Sequence, residues 1–70
     1  MSAQLKINGE TKTFDTGLPD TLSELLKQLD IDSATVVAEI DGRIIERKAF
    51  AKTLLVEGQT IELIRFVGGG

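Results

Sequence analysis

The sequence predicts an α+β domain: a mixed sheet of four to five strands packed on one main helix. Three observations carry this expectation. The dipeptides Asn8-Gly9 and Asp41-Gly42 each lie between short segments of strand character and supply the positive φ values that a two-residue hairpin demands. A single leucine stripe at helical spacing lies between the two turns. Strands on both sides of one helix point to a sheet covered on one face, not to alternating strand–helix units.

In the first strand, Leu5 and Ile7 alternate with Gln4 and Lys6, the period-2 pattern of a sheet with one buried face. The second strand, centred on Thr11 to Phe14, is polar and is expected at an edge. Gly17 and Pro19 mark the loop from Asp15 to Asp20. Thr21-Leu22-Ser23-Glu24 then has the form of a capping box, with the Thr21 hydroxyl placed to accept from the first turn of a helix. Leu22, Leu25, Leu26 and Leu29 follow at i, i+3, i+4 and i+7, so one face of that helix is apolar and must pack against the sheet. Thr35 to Ile40 is β-branched enough for an inner strand, and Asp41-Gly42 turns it into Arg43, Ile44 and Ile45. Glu46 to Leu55 has no clean period and reads as a connection in which Phe50, Leu54 and Leu55 plug the end of the core. Glu57-Gly58 is a further turn, and Thr60 to Phe66 is the last strand. The expected organisation is one domain over residues 1–66 and a flexible glycine tail over 67–70.

Composition excludes much chemistry. The 70 residues include no Cys and no His, which removes thiol nucleophiles, imidazole bases and the usual zinc or iron–sulfur ligand sets, so no metal site is expected. The serines, Ser2 and Ser23, have no evident base to activate them. A formal net charge of −3 disfavours nucleic acid and favours an electropositive protein partner. Arg43, Arg47, Lys48 and Lys52 cluster after the second turn, but Glu46 interrupts them and no aromatic side chains are interleaved for base stacking, so they read as a solvated face. The first residues lack a secretory pattern, and no apolar run approaches the roughly 20 residues of a membrane span. A cytoplasmic location and a free monomer are the expectations.

What remains is the C-terminal end. Gly68, Gly69 and Gly70 follow the last strand directly and have no side chains to pack. Extended, residues 67–70 reach roughly 13 Å at about 3.3 Å per residue, far enough to enter another protein's active site. Gly68 and Gly69 suit threading through a narrow channel, and Gly70 offers an unhindered carboxylate. A plain carboxylate is a poor acyl donor, so acyl transfer would require activation by ATP. No phosphate-binding loop is present, so a partner must bind the nucleotide and no cofactor is expected on this chain. Alternation in the last strand turns Ile61 and Leu63 to the core and leaves Ile64 and Phe66 on the opposite face. With Val67 they form a candidate partner-binding patch beside the glycines. Arg65 is available to pair with a partner carboxylate.

The segment Ile61-Glu62-Leu63-Ile64-Arg65-Phe66-Val67-Gly68-Gly69-Gly70 resembles the closing strand and tail of the sulfur carrier proteins of thiamine biosynthesis, the ThiS family. Leu5-Lys6-Ile7-Asn8-Gly9-Glu10, the leucine helix, and Ala38-Glu39-Ile40-Asp41-Gly42 with Arg47 extend the likeness over the whole chain. The resemblance implies a ubiquitin-like β-grasp fold and the role of carrier and co-substrate, not enzyme. It further implies that an adenylating, E1-like enzyme acts with ATP on Gly70. A cysteine desulfurase then supplies sulfur, and thiazole synthase consumes the resulting thiocarboxylate. The family's usual description has two terminal glycines, so either Gly70 or a trimmed Gly69 is the working end. The small subunit of molybdopterin synthase and a ubiquitin-like protein modifier share these features and stay open as alternatives.

Overall fold

The computed structural model describes residues 2–66. Its elements are β1 (Ala3–Ile7), β2 (Glu10–Phe14), α1 (Leu22–Gln28), β3 (Val36–Ile40), β4 (Arg43–Ile45) and β5 (Thr60–Arg65). Two 3-10 segments, Ser33–Thr35 and Arg47–Lys52, fill the connections on either side of the second hairpin.

Both hairpins form where the turn dipeptides predict them. Asn8 and Gly9 have φ of 51° and 84°, and Asp41 and Gly42 have 50° and 85°, the paired left-handed conformation that matches the twist of the flanking strands. Each turn fixes its own register, with Ile7 opposite Glu10 and Ile40 opposite Arg43. The five strands join in the order β2-β1-β5-β3-β4. At the centre β5 runs parallel to β1 and antiparallel to β3, so the last strand sits between the two hairpins and binds them into one sheet. The polar β2 lies at an edge, as its composition requires.

One face of the sheet contributes Leu5, Ile7, Val36, Ala38, Ile40, Ile61 and Leu63 to the core, and α1 lays Leu22, Leu25 and Leu26 across them. A helix of seven residues cannot persist by itself in water. Burying each leucine contributes about 1.5–3 kcal/mol, so packing holds the helix. The Thr21 hydroxyl accepts from the Glu24 amide at 3.2 Å, which forms the predicted N-cap. At the other end Leu29 is the C-cap residue and is half-buried, not a full member of the stripe. Asp30 follows with φ of 59°. The Ile31 amide donates to Leu26 and that of Asp30 to Lys27, a double closure of the last turn usually built on glycine.

The stretch read as an irregular connection contains the 3-10 segment Arg47–Lys52, which turns Phe50 into the core at 2% exposure. Leu55 packs against that core, but Leu54 does not: it is 69% exposed. The reading of Leu54 as a core plug is therefore corrected. Its backbone pairs with Thr21, and the neighbouring bonds from Leu22 to the Thr53 carbonyl and from Leu55 to that of Asp20 fix the segment so that the Leu54 side chain faces water. Among the described residues, no helix is long and apolar enough to cross a membrane.

Candidate functional site

The helix covers one face of the sheet, and the other face is open. Alternation along β5 buries Ile61 and Leu63 and leaves Ile64 and Phe66 each 49% exposed, as the sequence pattern predicts. Register extends this pair into a surface. Val37 stands opposite Ile64, Glu39 opposite Glu62, and Ile44 opposite Glu39, so these five side chains share the open face with Phe66. The Phe66 amide donates to the Thr35 carbonyl at 3.1 Å, which prolongs the β3–β5 ladder by one bond and holds Phe66 against the sheet. Phe50, buried on the helix side, does not cover this surface.

The result is an apolar strip of Ile44, Val37, Ile64 and Phe66 beside a cross-strand pair of glutamates. Sequence reasoning found Ile64 and Phe66 but missed Val37, Ile44, Glu39 and Glu62. The pairing of Glu39 with Ile44 was available from the two-residue turn at Asp41-Gly42. The apposition of Glu39 and Glu62 was not, because nothing local sets the register of β3 against β5.

The remaining candidates divide. Arg43, Arg47, Lys48 and Lys52 are exposed, in keeping with a solvated face, and the Arg47 guanidinium donates to the Ala34 carbonyl at 3.3 Å. Arg65 is exposed at the end of β5. Val67, Gly68, Gly69 and Gly70 lie outside the described residues. Ion pairs among the described residues join Lys27 to Glu24 and Lys48 to Glu46, both at 3.7 Å and both well solvated, so they contribute little. Among the described residues, no three acidic, His or Cys side chains converge as a metal site requires. A shallow groove between Ile7, Leu29, Ile31 and Leu63 carries Glu10 and Lys12 at its rim but no nucleophile–base pair. The described residues thus present an exposed apolar strip on and beside the strand that precedes the glycines in the sequence.

A five-stranded mixed sheet with parallel first and last strands at its centre, gripping one helix, defines a ubiquitin-like β-grasp protein. Within that class the chain belongs to the ThiS family, whose model matches residues 5–70. This is a family of sulfur carriers in thiamine biosynthesis. The sulfur carrier protein ThiS of Bacillus subtilis is 31% identical over 68 residues, covering 94% of this chain and 98% of that one. The crystal structure of a thiamine biosynthesis protein (ThiS) from Geobacter metallireducens superposes with a TM-score of 0.82 at 34% identity, over 96% of this chain and 99% of that one. A thiazole synthase from Paramagnetospirillum magneticum is 33% identical over 67 residues. The match takes in 96% of this chain, which spans 20% of that longer protein.

Proposed function

We propose that this chain is a sulfur carrier whose C-terminal glycine, Gly70, is the reacting group and whose open sheet face docks the enzymes that act on it. The observation that carries the proposal is the position of Ile64 and Phe66: both stand exposed on the strand that runs directly into Val67-Gly68-Gly69-Gly70. A partner seated on that strip would receive the glycines at its own active site, with Val67 extending the contact.

In the first step the Gly70 carboxylate attacks the α-phosphorus of ATP bound by an adenylating enzyme, and pyrophosphate leaves. A persulfide generated by a cysteine desulfurase next attacks the acyl carbon and displaces AMP. A cysteine thiol then attacks the sulfur that carried the persulfide, forms a disulfide with it, and releases Gly70 as a thiocarboxylate, which thiazole synthase accepts as its sulfur donor. On this reading the partner enzyme, not this chain, binds the ATP. Gly68 and Gly69, without Cβ atoms, serve to pass through the channel. The match to a segment of a longer protein called thiazole synthase supports that enzyme as a partner.

The test is the intact mass of the protein after incubation with ATP, the adenylating enzyme and a persulfide donor, beside a variant lacking Gly70. A gain equal to exchanging one oxygen for sulfur, mapped to Gly70 and absent from the shortened variant, is expected. No gain with a demonstrably active enzyme would refute the assignment, and a gain on Gly69 after loss of Gly70 would move the working end by one residue.

A further inference from the structure

β5 is held at its first residue and past its middle by side chains that stand in for backbone. At its start the Thr60 amide donates to Asp41 Oδ1 at 2.9 Å, while the Asp41 amide donates to the Thr60 carbonyl at 2.8 Å. Toward its end the Leu63 amide donates to Asn8 Oδ1 at 2.8 Å, while the Asn8 amide donates to the Ile61 carbonyl at 2.9 Å. Both acceptors are first residues of hairpin turns, with nearly the same positive φ. The reason is geometric. In a continued parallel ladder the Leu63 amide would meet the backbone carbonyl of residue 8. The chain turns away there, and the paired register of β1 with β5 ends at Ile7 and Ile61. The Asn8 side chain supplies the acceptor instead.

We infer that Asn8 is a positioning residue for the end of β5: by holding the Leu63 amide it fixes the β1-side edge of the strand, while β3 holds the other edge through the Phe66–Thr35 bond, so that Arg65 and Phe66 keep one place. Asp41 makes the same kind of contact at the opposite end of the strand and is a matched control. The relevance to sulfur transfer rests on the carrier reading proposed above, whereas the mechanical part does not.

In Asn8→Gly the turn keeps its positive φ and loses the acceptor; Asp41→Gly does the same at the other end. Asn8→Asp keeps the acceptor. With the adenylating enzyme and ATP, measured below the melting range of every variant, Asn8→Gly should raise KM for the carrier about tenfold with kcat unchanged, because a smaller fraction of molecules presents the segment competently. Asp41→Gly and Asn8→Asp should stay within about twofold of the parent. Equal effects of the two glycine variants would reduce Asn8 to an ordinary stabilising contact and overturn the inference, as would an unchanged KM in Asn8→Gly. If the parent itself is not adenylated, the carrier reading fails, and NMR order parameters for Arg65 and Phe66 decide: a fall in Asn8→Gly but not in Asp41→Gly supports positioning, and no difference overturns it. In the parent protein the Leu63 amide must also be protected from hydrogen exchange; rapid exchange there overturns the inference whatever the variants do.

Discussion

Phe66 separates two uses of an aromatic side chain in so small a protein. Phe50 is almost wholly buried and completes the core, whereas Phe66 keeps about half its surface in water beside Ile64. A half-exposed ring contributes little to folding but much to an interface that desolvates it. Replacing Phe66 with alanine should weaken binding to the adenylating enzyme by about 2 kcal/mol, roughly thirtyfold in Kd, and leave the thermal midpoint nearly unmoved. Calorimetric titration checks this, and an unchanged affinity would remove Phe66 from the contact. Its exposure was legible in the sequence because strand geometry puts Ile64 and Phe66 on the face opposite Ile61 and Leu63. That of Leu54 was not: an apolar residue in a segment without period gives no sign of which way it faces. Asp30 was equally silent, since a helix end built on a left-handed aspartate lacks the glycine that usually announces it.

Among the elements, β3 and β5 carry a conflict at the middle of their pairing, where Glu39 and Glu62 stand directly opposite each other. Like charges in that position oppose strand pairing, and no described basic group makes an ion pair with either. Glu62→Gln keeps the shape and removes one charge. It should stabilise the domain by about 0.2–1 kcal/mol, read as a higher midpoint in urea with an unchanged slope. A lower midpoint would show that Glu62 holds a favourable contact in the native sheet. The elements themselves were largely readable: Asn8-Gly9 and Asp41-Gly42 fix both hairpins, and the leucine spacing fixes the helix. The 3-10 segment at Arg47–Lys52 escaped because six residues with one buried side chain, Phe50, make no periodic signal. The joining of the hairpins through β5 escaped because residues far apart in the chain carry no local mark of their pairing.

For the molecule as a whole, composition says more about what is excluded than about what is done. The chain has neither Cys nor His, and the working group proposed for it, Gly70, lies beyond the described residues. That assignment came from the pattern of glycines after a strand together with the family likeness; no packing argument reaches it. A net charge of −3 should draw the carrier to a basic partner surface. Association with the adenylating enzyme should therefore slow by about tenfold as ionic strength rises from about 0.02 M to about 0.5 M, while dissociation changes little. Stopped-flow mixing measures both rates, and a flat association rate would mean that charge plays no part in the encounter. The parallel pairing of β1 with β5 has one more consequence. Both strands run the same way, so the chain enters the sheet at one end and leaves it at the other. Anything joined ahead of Ala3, whether a second domain, an affinity handle or a solid support, is set apart from Phe66 along the sheet by nine residues of strand, about 30 Å, because Lys6 is level with Thr60. The protein can be tethered ahead of Ala3 with Phe66 left at the far end of the sheet.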